Sequence, residues 1–235
     1  MIASLDRRVI VQELLDTLPT DDTRAVASRR DLVWINALMF QSRIMASLLR
    51  RHVAKPPRRI LELGCGDGSF MLAVARRMGN TWRGVELVMV DQADLLPASR
   101  RDSFAALGWH ARSIKSDMFE WLAKPEHGEF DVVCANLVLH HFSDEALAGL
   151  FKSVQKLTTV LIATEPRRSA LAMAGCSMLR LIGVNVVTRH DAAASVRAGF
   201  NATELTALWP CTDGTRFEEG MVGPFTHAFA MERMR

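Results

Sequence analysis

The sequence predicts an α/β fold with a mostly parallel sheet and helices on both faces. Short apolar runs, each the length of a buried strand, alternate with segments whose apolar residues recur at helical spacing. The run Ile60–Leu63 breaks at once into Gly64-Cys65-Gly66-Asp67-Gly68, and the apolar-rich stretch Phe70–Met78 follows. That is the pattern of strand, tight turn and helix. The 235 residues, 49% hydrophobic and 23% charged, suffice for one such domain with additions.

Taken in order, residues 1–28 mix apolar and charged side chains, and Val9–Leu18 predicts a short amphipathic helix before Pro19. From Asp31 to Val53 apolar residues such as Trp34, Leu38, Met45 and Leu49 recur at helical spacing, and Lys55-Pro56-Pro57 ends the helix. The first strand and its helix come next. After the turn Gly79-Asn80, Val85–Val90 reads as the second strand, ending at Asp91. Asp94–Leu107 reads as a helix, His110–Lys115 as the third strand and Phe130–Ala135 as the fourth. Ser143-Asp144-Glu145 supplies capping residues for another helix, and Leu157–Ala163 is the fifth strand.

An insertion then replaces an immediate sixth strand. Ser169–Val184 is apolar and helical in character, and Asp191 is placed to cap a short helix, Ala192–Ala198. Asn201-Ala202-Thr203-Glu204 has the capping-box form for a helix through Leu208, and Phe225–Met231 reads as a closing strand. The expected organisation is a single domain over 1–235: an N-terminal helical segment 1–56, a core 57–165, an insertion 166–200, and a C-terminal helix and hairpin 201–235.

The glycine spacing narrows the ligand. A dinucleotide fingerprint needs its third glycine one residue later than Gly68, where Ser69 stands, and no G-K-[ST] follows. Asp67 also puts a negative charge where a pyrophosphate would lie. The loop therefore suits a ligand without phosphate that carries a cation. Asp91, at the tip of the second strand, suits a ribose; Glu86 is its rival, disfavoured because an unpaired carboxylate inside an apolar strand is costly.

Composition excludes several partners. The net charge of +3 is modest, and the Arg-Arg pairs are scattered, so no nucleic-acid surface is expected. No apolar stretch is long enough to cross a bilayer, and Met1–Arg8 lacks the apolar core of a secretory signal, so the cytoplasm is the expected location. The four cysteines, Cys65, Cys134, Cys176 and Cys211, form no C-x-x-C pair and are expected to be free thiols. No carboxylate or histidine spacing compels a metal site, and none is expected. Tyrosine is absent, so no phenol serves as an acid or base.

The segments E-L-G-C-G-D-G (62–68) and F-D-V-V-x-x-N-x-x-L-H-H-F (130–142) resemble the class I S-adenosylmethionine-dependent methyltransferases, with the likeness running from about Pro57 to the C-terminus. The resemblance implies a Rossmann-like, seven-stranded, mostly parallel sheet ending in a hairpin. Segment 1–56 would be a lid and 166–200 a cap over the substrate. It implies S-adenosyl-L-methionine as cofactor, with Gly64 and Gly66 letting the backbone approach its amino-acid part beside Glu62 and Asp67. Asp91, with Gln92 next to it, would take the ribose. Asp117 would bond the adenine amino group and Met118 pack on the ring, although a helix N-cap at Ser116 or Asp117 is a competing role. Asn136 would stand where substrate meets the methyl group.

A base is needed only if the acceptor must lose a proton. His140 and His141 are candidates, and so is His190, which a neighbouring Asp191 could orient. Glu165 and Arg189 would shape the pocket. The segment from Thr188 to Phe200 resembles small-molecule members found beside polyketide and other natural-product pathways. The expected partner is thus a small, largely apolar acceptor methylated at a hydroxyl, a phenol among the options. No membrane partner is expected, and a homodimer is among the expected assemblies. An RNA or protein methyltransferase, and a non-catalytic cofactor-binding module, are the alternatives.

Overall fold

The computed structural model describes residues 5–210 and 212–234, so the first four residues of the N-terminal stretch and Cys211 lie outside the described residues. The elements in chain order are α1 (Leu14–Thr17), α2 (Thr23–Leu38), α3 (Gln41–His52), β1 (Arg59–Leu63), α4 (Ser69–Met78), β2 (Val85–Asp91), α5 (Ala98–Ala106), β3 (Trp109–Lys115), α6 (Met118–Leu122), β4 (Val132–Asn136), α7 (Asp144–Leu157), β5 (Val160–Pro166), α8 (Ala170–Met178), α9 (Val186–Ala198), α10 (Glu204–Ala207), β6 (Thr215–Val222) and β7 (Thr226–Arg233).

The seven strands form one sheet in the order β3-β2-β1-β4-β5-β7-β6. β1 to β5 are parallel, whereas β7 runs antiparallel to β5 and pairs with β6 as a hairpin. Strand order reverses at β1, between β2 and β4, which is where α/β sheets of this kind open a crevice for ligands. Side chains alternate across the sheet as strand geometry requires. Ile60, Leu87, Met89, Val132 and Ile162 join Met45, Leu49, Met71 and Trp109 in one apolar layer under α3, α4 and α5. Leu61, Val88, Val133, Leu161 and Phe229 join Trp121, Phe151 and Trp209 in the other layer, under α6 and α7. The central strands β1, β4 and β5 are buried on both faces, β3 at the sheet edge is half exposed, and the predicted Rossmann-like sheet is the one observed.

Several local expectations are corrected. The single helix expected over Asp31–Val53 is two helices bent by 55°, and the first begins earlier, at Thr23. Asp22 caps that start by accepting the Arg24 N–H at 2.8 Å. The break falls at Phe40, whose φ of 55° is left-handed and cannot continue a right-handed helix. The helix expected from Asp94 begins at Ala98, behind Pro97. The residues before it are used by Asp91, which accepts the Ala93 N–H at 2.9 Å.

Asp191 caps a different helix from the one expected. α9 starts at Val186, capped by Asn185, and Asp191 lies in its middle. Its carboxylate accepts the N–H groups of Leu14 (2.8 Å) and Leu15 (3.0 Å), so it caps α1 from across the molecule. The capping box at 201–204 is half formed: Glu204 accepts the Asn201 N–H at 2.8 Å, while the side chain of Asn201 donates to the Arg168 carbonyl. The N–H groups of Leu205 and Thr206 go instead to Glu219 of β6. Cys65, Cys134 and Cys176 are free thiols. Among the described residues no single helix is long and apolar enough to cross a membrane.

Candidate active site

A cavity of about 800 Å³ opens over the carboxyl ends of β1, β2 and β4. Its floor is the turn after β1. Gly64, Gly66 and Gly68 all have positive φ, 70°, 53° and 74°. Gly64 donates its N–H to the Val90 carbonyl at 2.9 Å, and Gly66 donates to Asp91 Oδ2 at 2.8 Å. A Cβ on Gly64 would sit 2.5 Å from Val138 Cγ2, whereas one on Gly66 would meet nothing within 4 Å. Gly64→Ala is therefore expected to lower stability by about 2 kcal/mol or more, since left-handed backbone alone costs a residue with Cβ roughly 1–2 kcal/mol. Thermal melting checks this, and an unchanged melting temperature would refute it.

Around the floor stand three carboxylates in different states. Asp91 bridges the floor to the β2 loop, accepting Gly66 and Ala93 N–H groups on its two oxygens. Asp67 accepts the Ser69 N–H and pairs with Arg100 at 2.7 Å. Burial would raise its pKa, but the bonds from Ser69 and the charge of Arg100 hold it below the usual range. Glu62, on β1, differs from both. It is 1% exposed, and its Oε2 has no hydrogen-bond partner. Burial, and then the charges of Asp91 and Asp67, push its pKa well above the ordinary carboxylate value.

Glu86, the rival for the ribose, sits at the amino end of β2, bonded to Arg59 (2.8 Å) and near Arg112 (3.4 Å). Five residues of strand, about 16 Å, separate it from Asp91 and the cavity. Gln92, Met118 and Asn136 line the cavity. Asp117 does not line it, although its neighbours Ser116 and Met118 do. Asp117 Oδ1 caps α6 through Phe119 (2.8 Å) and Glu120 (3.1 Å), and Oδ2 accepts the amide of Gln92 at 3.1 Å. Asn136 accepts the Thr164 hydroxyl at 2.8 Å.

The opposite wall follows β4. Leu137 has a left-handed φ of 53°, and the next three residues turn back beneath Glu165 of β5. Glu165 is 0% exposed and accepts the N–H groups of Val138 (3.1 Å), Leu139 (2.9 Å) and His140 (3.3 Å). It also accepts His140 Nδ1–H at 2.7 Å. His140 Nε2 lies 3.4 Å from Glu13 Oε1. Burial works against the charge on His140, but hydrogen bonds to Glu13 and Glu165 outweigh it and raise its pKa to about 9. At neutral pH the ring is protonated and spoken for, so it is not a free base. His141 lines the cavity, partly exposed, with Nδ1 3.4 Å from Asp16 and Nε2 4.0 Å from Glu13. His190 is not brought to the cavity: its side chain is 47% exposed and bonded to Asp191 at 3.0 Å, and Arg189 is likewise absent from the lining.

Glu13 is the site residue that sequence reasoning missed. It belongs to a strap, residues 5–17, laid over the cavity by long-range contacts. Val9 N–H donates to the Arg197 carbonyl at 3.1 Å. Arg8 donates to the Ala198 and Phe142 carbonyls, each at 2.9 Å, pairs with Asp144, and lies 4.1 Å from the centre of the Phe200 ring. Arg168 donates to the Leu5 carbonyl and grips Glu204. Glu13 also accepts the Ser195 hydroxyl. Burial would raise its pKa, but the bond from His140, the charge of His141 and Ser195 bring it below normal. No local pattern in the sequence marks a carboxylate that acts 127 residues away.

Comparison with known proteins adds a family to this geometry. Residues 60–159 match the family described as "Methyltransferase domain". A stretch of 118 residues is 31% identical to an uncharacterized methyltransferase of Mycobacterium tuberculosis, covering 48% of this chain and 54% of that one. The chain spans about half the length, or less, of the curated relatives it matches. An O-methyltransferase family protein from Burkholderia thailandensis superposes with a TM-score of 0.63 at 19% identity, over 92% of this chain and 61% of that one. The plantazolicin methyltransferase BpumL, in complex with a triazolic desmethylPZN analog and SAH, gives a TM-score of 0.66 at 13% identity, over 94% and 93%. At such identities the structural likeness speaks for the fold, and the sequence match over 60–159 speaks for the family. Residues 60–159 are thus similar to the methyltransferase-domain family, and the chain as a whole has the fold of the methyltransferase structures it superposes on.

Proposed function

We propose that this chain transfers a methyl group from S-adenosyl-L-methionine to a small, largely apolar acceptor at a hydroxyl. The observation that carries the reading is Glu62 Oε2, buried without a partner beside the glycine turn. An orphaned buried carboxylate is costly unless a cation meets it, and the methionine part of this cofactor carries an ammonium. When bound, the cofactor supplies an activated methyl on a sulfonium, so the protein's main task is alignment.

Each residue then has a part. Gly64 and Gly66 admit the amino-acid end to the backbone, and Glu62 takes its ammonium. Asp67 is already matched by Arg100 and sets the negative potential from further out. Asp91 uses one lone pair on each oxygen for the loop and keeps the others for two ribose hydroxyls. Met118 and Gln92 flank the adenine, with Asp117 holding Gln92 in place. The acceptor lies toward Val33, Met39, Leu179 and Phe225, an apolar wall made by α2 and the residue after it, the turn after α8 and the β6–β7 turn. Segments 1–56 and 166–200 act as its cover. Asn136 and the cluster of Glu13, His140 and His141 form the polar end, against which a hydroxyl can be set.

A covered, mostly apolar cavity favours a small molecule over RNA or protein, and the small-molecule enzymes among the structural neighbours support the same choice. Calorimetric titration with S-adenosylmethionine and its demethylated product is expected to give micromolar binding. Labelled cofactor is expected to mark small apolar hydroxyl compounds rather than RNA or protein. Binding with no turnover on any acceptor would favour the non-catalytic module, and no binding would remove the reading altogether. His141→Ala is expected to lower turnover by about a hundredfold, within the range for loss of a positioned polar group at the reacting hydroxyl. Its affinity for the demethylated product should stay close to that of the wild type, since His141 belongs to the acceptor end.

A further inference from the structure

We propose that Glu13, His140 and His141 form a binding site for one divalent transition-metal ion, with an open position toward the acceptor. One ligand atom from each of the three residues lies within 4.8 Å of the others. Glu13 Oε1 is 3.4 Å from His140 Nε2 and 4.0 Å from His141 Nε2. Metal–ligand bonds of about 2.0–2.2 Å place neighbouring ligands roughly 3–3.5 Å apart, so small side-chain shifts close the set around an ion that takes the place of the proton on His140 Nε2 and releases it to solvent. The sequence shows no metal spacing because the carboxylate comes from the N-terminal strap and the imidazoles from the turn after β4.

Convergence alone would describe an ion pair between a protonated imidazole and a carboxylate. The outer nitrogens argue for more. His140 Nδ1 is fixed by Glu165 at 2.7 Å, and His141 Nδ1 faces Asp16 at 3.4 Å. Both rings thus have a carboxylate on Nδ1 and point Nε2 inward to the same oxygen, the arrangement that orients metal-binding histidines and raises their basicity. Ser195 donates to Glu13 and fixes the third ligand in the same way. A single ion pair needs one imidazole and no such backing on a second.

The ligand set also selects the ion. Two imidazoles and one carboxylate suit zinc, cobalt, iron or manganese, whereas magnesium and calcium prefer all-oxygen sites. Three protein ligands leave at least one position open, as in catalytic rather than structural sites. That position adjoins the cavity, where a hydroxyl or carboxylate oxygen of the acceptor could coordinate. This last role rests on the methyl-transfer reading; the ion site itself does not.

Chelator-treated full-length protein, titrated by calorimetry with Zn²⁺ and with Co²⁺, tests the site. One ion per chain is expected, with visible Co²⁺ absorption bands. His141→Ala and Glu13→Gln should each weaken binding by more than about a hundredfold and abolish the bands, beyond what loss of an outer partner costs. Asp16→Asn should weaken it by about tenfold. His141 is partly exposed, so its alanine variant is expected to fold, and circular dichroism verifies that. Failure of the wild type to bind stoichiometrically, or undiminished binding by both ligand variants, overturns the site. The stripped wild type is titrated in parallel with the demethylated cofactor. If that nucleoside binds and metal does not, the metal inference falls alone. If metal binds and the nucleoside does not, the ion site stands and the methyl-transfer reading falls.

Discussion

Glu62→Gln is expected to remove most of the cofactor affinity while raising the melting temperature of the ligand-free protein. Both effects have one cause. The carboxylate is fully buried with one oxygen unpartnered, and it faces the charges of Asp91 and Asp67. Glutamine keeps the shape and loses the charge. Truncating one side of a buried charged pair typically costs about 2–5 kcal/mol, and about 1.4 kcal/mol is tenfold, so affinity should fall by about a hundredfold or more. The pH dependence has a definite sign. Burial raises the folded pKa above the ordinary 4.5, so over the interval between them the folded chain keeps a proton that the unfolded chain has released. Stability from this group is complete below 4.5 and declines as pH rises toward the folded value. The Glu62→Gln variant lacks that decline, and its advantage in melting temperature should grow with pH. A bound cation favours the ionised form, so binding should release a proton, visible as a dependence of binding heat on buffer. A glutamine variant that binds the demethylated product with affinity close to that of the wild type would sink this account.

Legibility in the sequence follows distance along the chain. The strand–turn–helix over residues 59–78 is readable because its causes are local: β-type apolar residues, then glycines where the backbone takes positive φ, then helical spacing. The core strands are readable for the same reason, as continuous apolar runs that only a sheet buried on both faces accommodates. Phe40 is not. Nothing about a phenylalanine signals a left-handed φ, which is imposed by how α2 and α3 pack. Asp191 is recognisable as a capping residue but not by the helix it caps, because a carboxylate caps whatever N-terminus tertiary structure brings to it. At the site, the residues on β1, β2, α6 and β4 are found by their places at strand ends. The residues that finish the site, Glu13 and Asp16, cannot be found that way. Their segment reads as a short amphipathic helix but is helical only over Leu14–Thr17, and long-range bonds from residues such as Arg8, Val9, Arg168 and Asp191 set it over the cavity. His190 shows the converse case: an adjacent acid makes it look functional, but its own side chain is 47% exposed and outside the cavity lining, while the buried Asp191 serves the start of α1.

Glu165→Ala is expected to be the most destabilising single substitution proposed for this protein. Three consecutive N–H groups and the His140 ring all donate to this one carboxylate, in a place that water does not reach. Removing it strands those donors and leaves a buried imidazolium with only the longer contact to Glu13. Breaking a buried pair by deleting one partner costs about 3–5 kcal/mol, and for a chain of this size each kcal/mol lowers the melting temperature by roughly 2–4 °C. A fall of about 10 °C or more is therefore expected. Glu165→Gln separates the two contributions. Its amide oxygen can still accept from the turn, but its NH₂ group cannot accept His140 Nδ1–H and its charge is gone. The glutamine variant should recover part of the lost stability and none of the elevated pKa of His140, read from the ring resonances of the histidine. That separation distinguishes a carboxylate that merely fills space from one that holds the turn after β4 in its strained form, with Leu137 left-handed and both histidines presented to the cavity. If the alanine variant melts at the wild-type temperature, the turn is held by its own packing and Glu165 is not what positions the histidines.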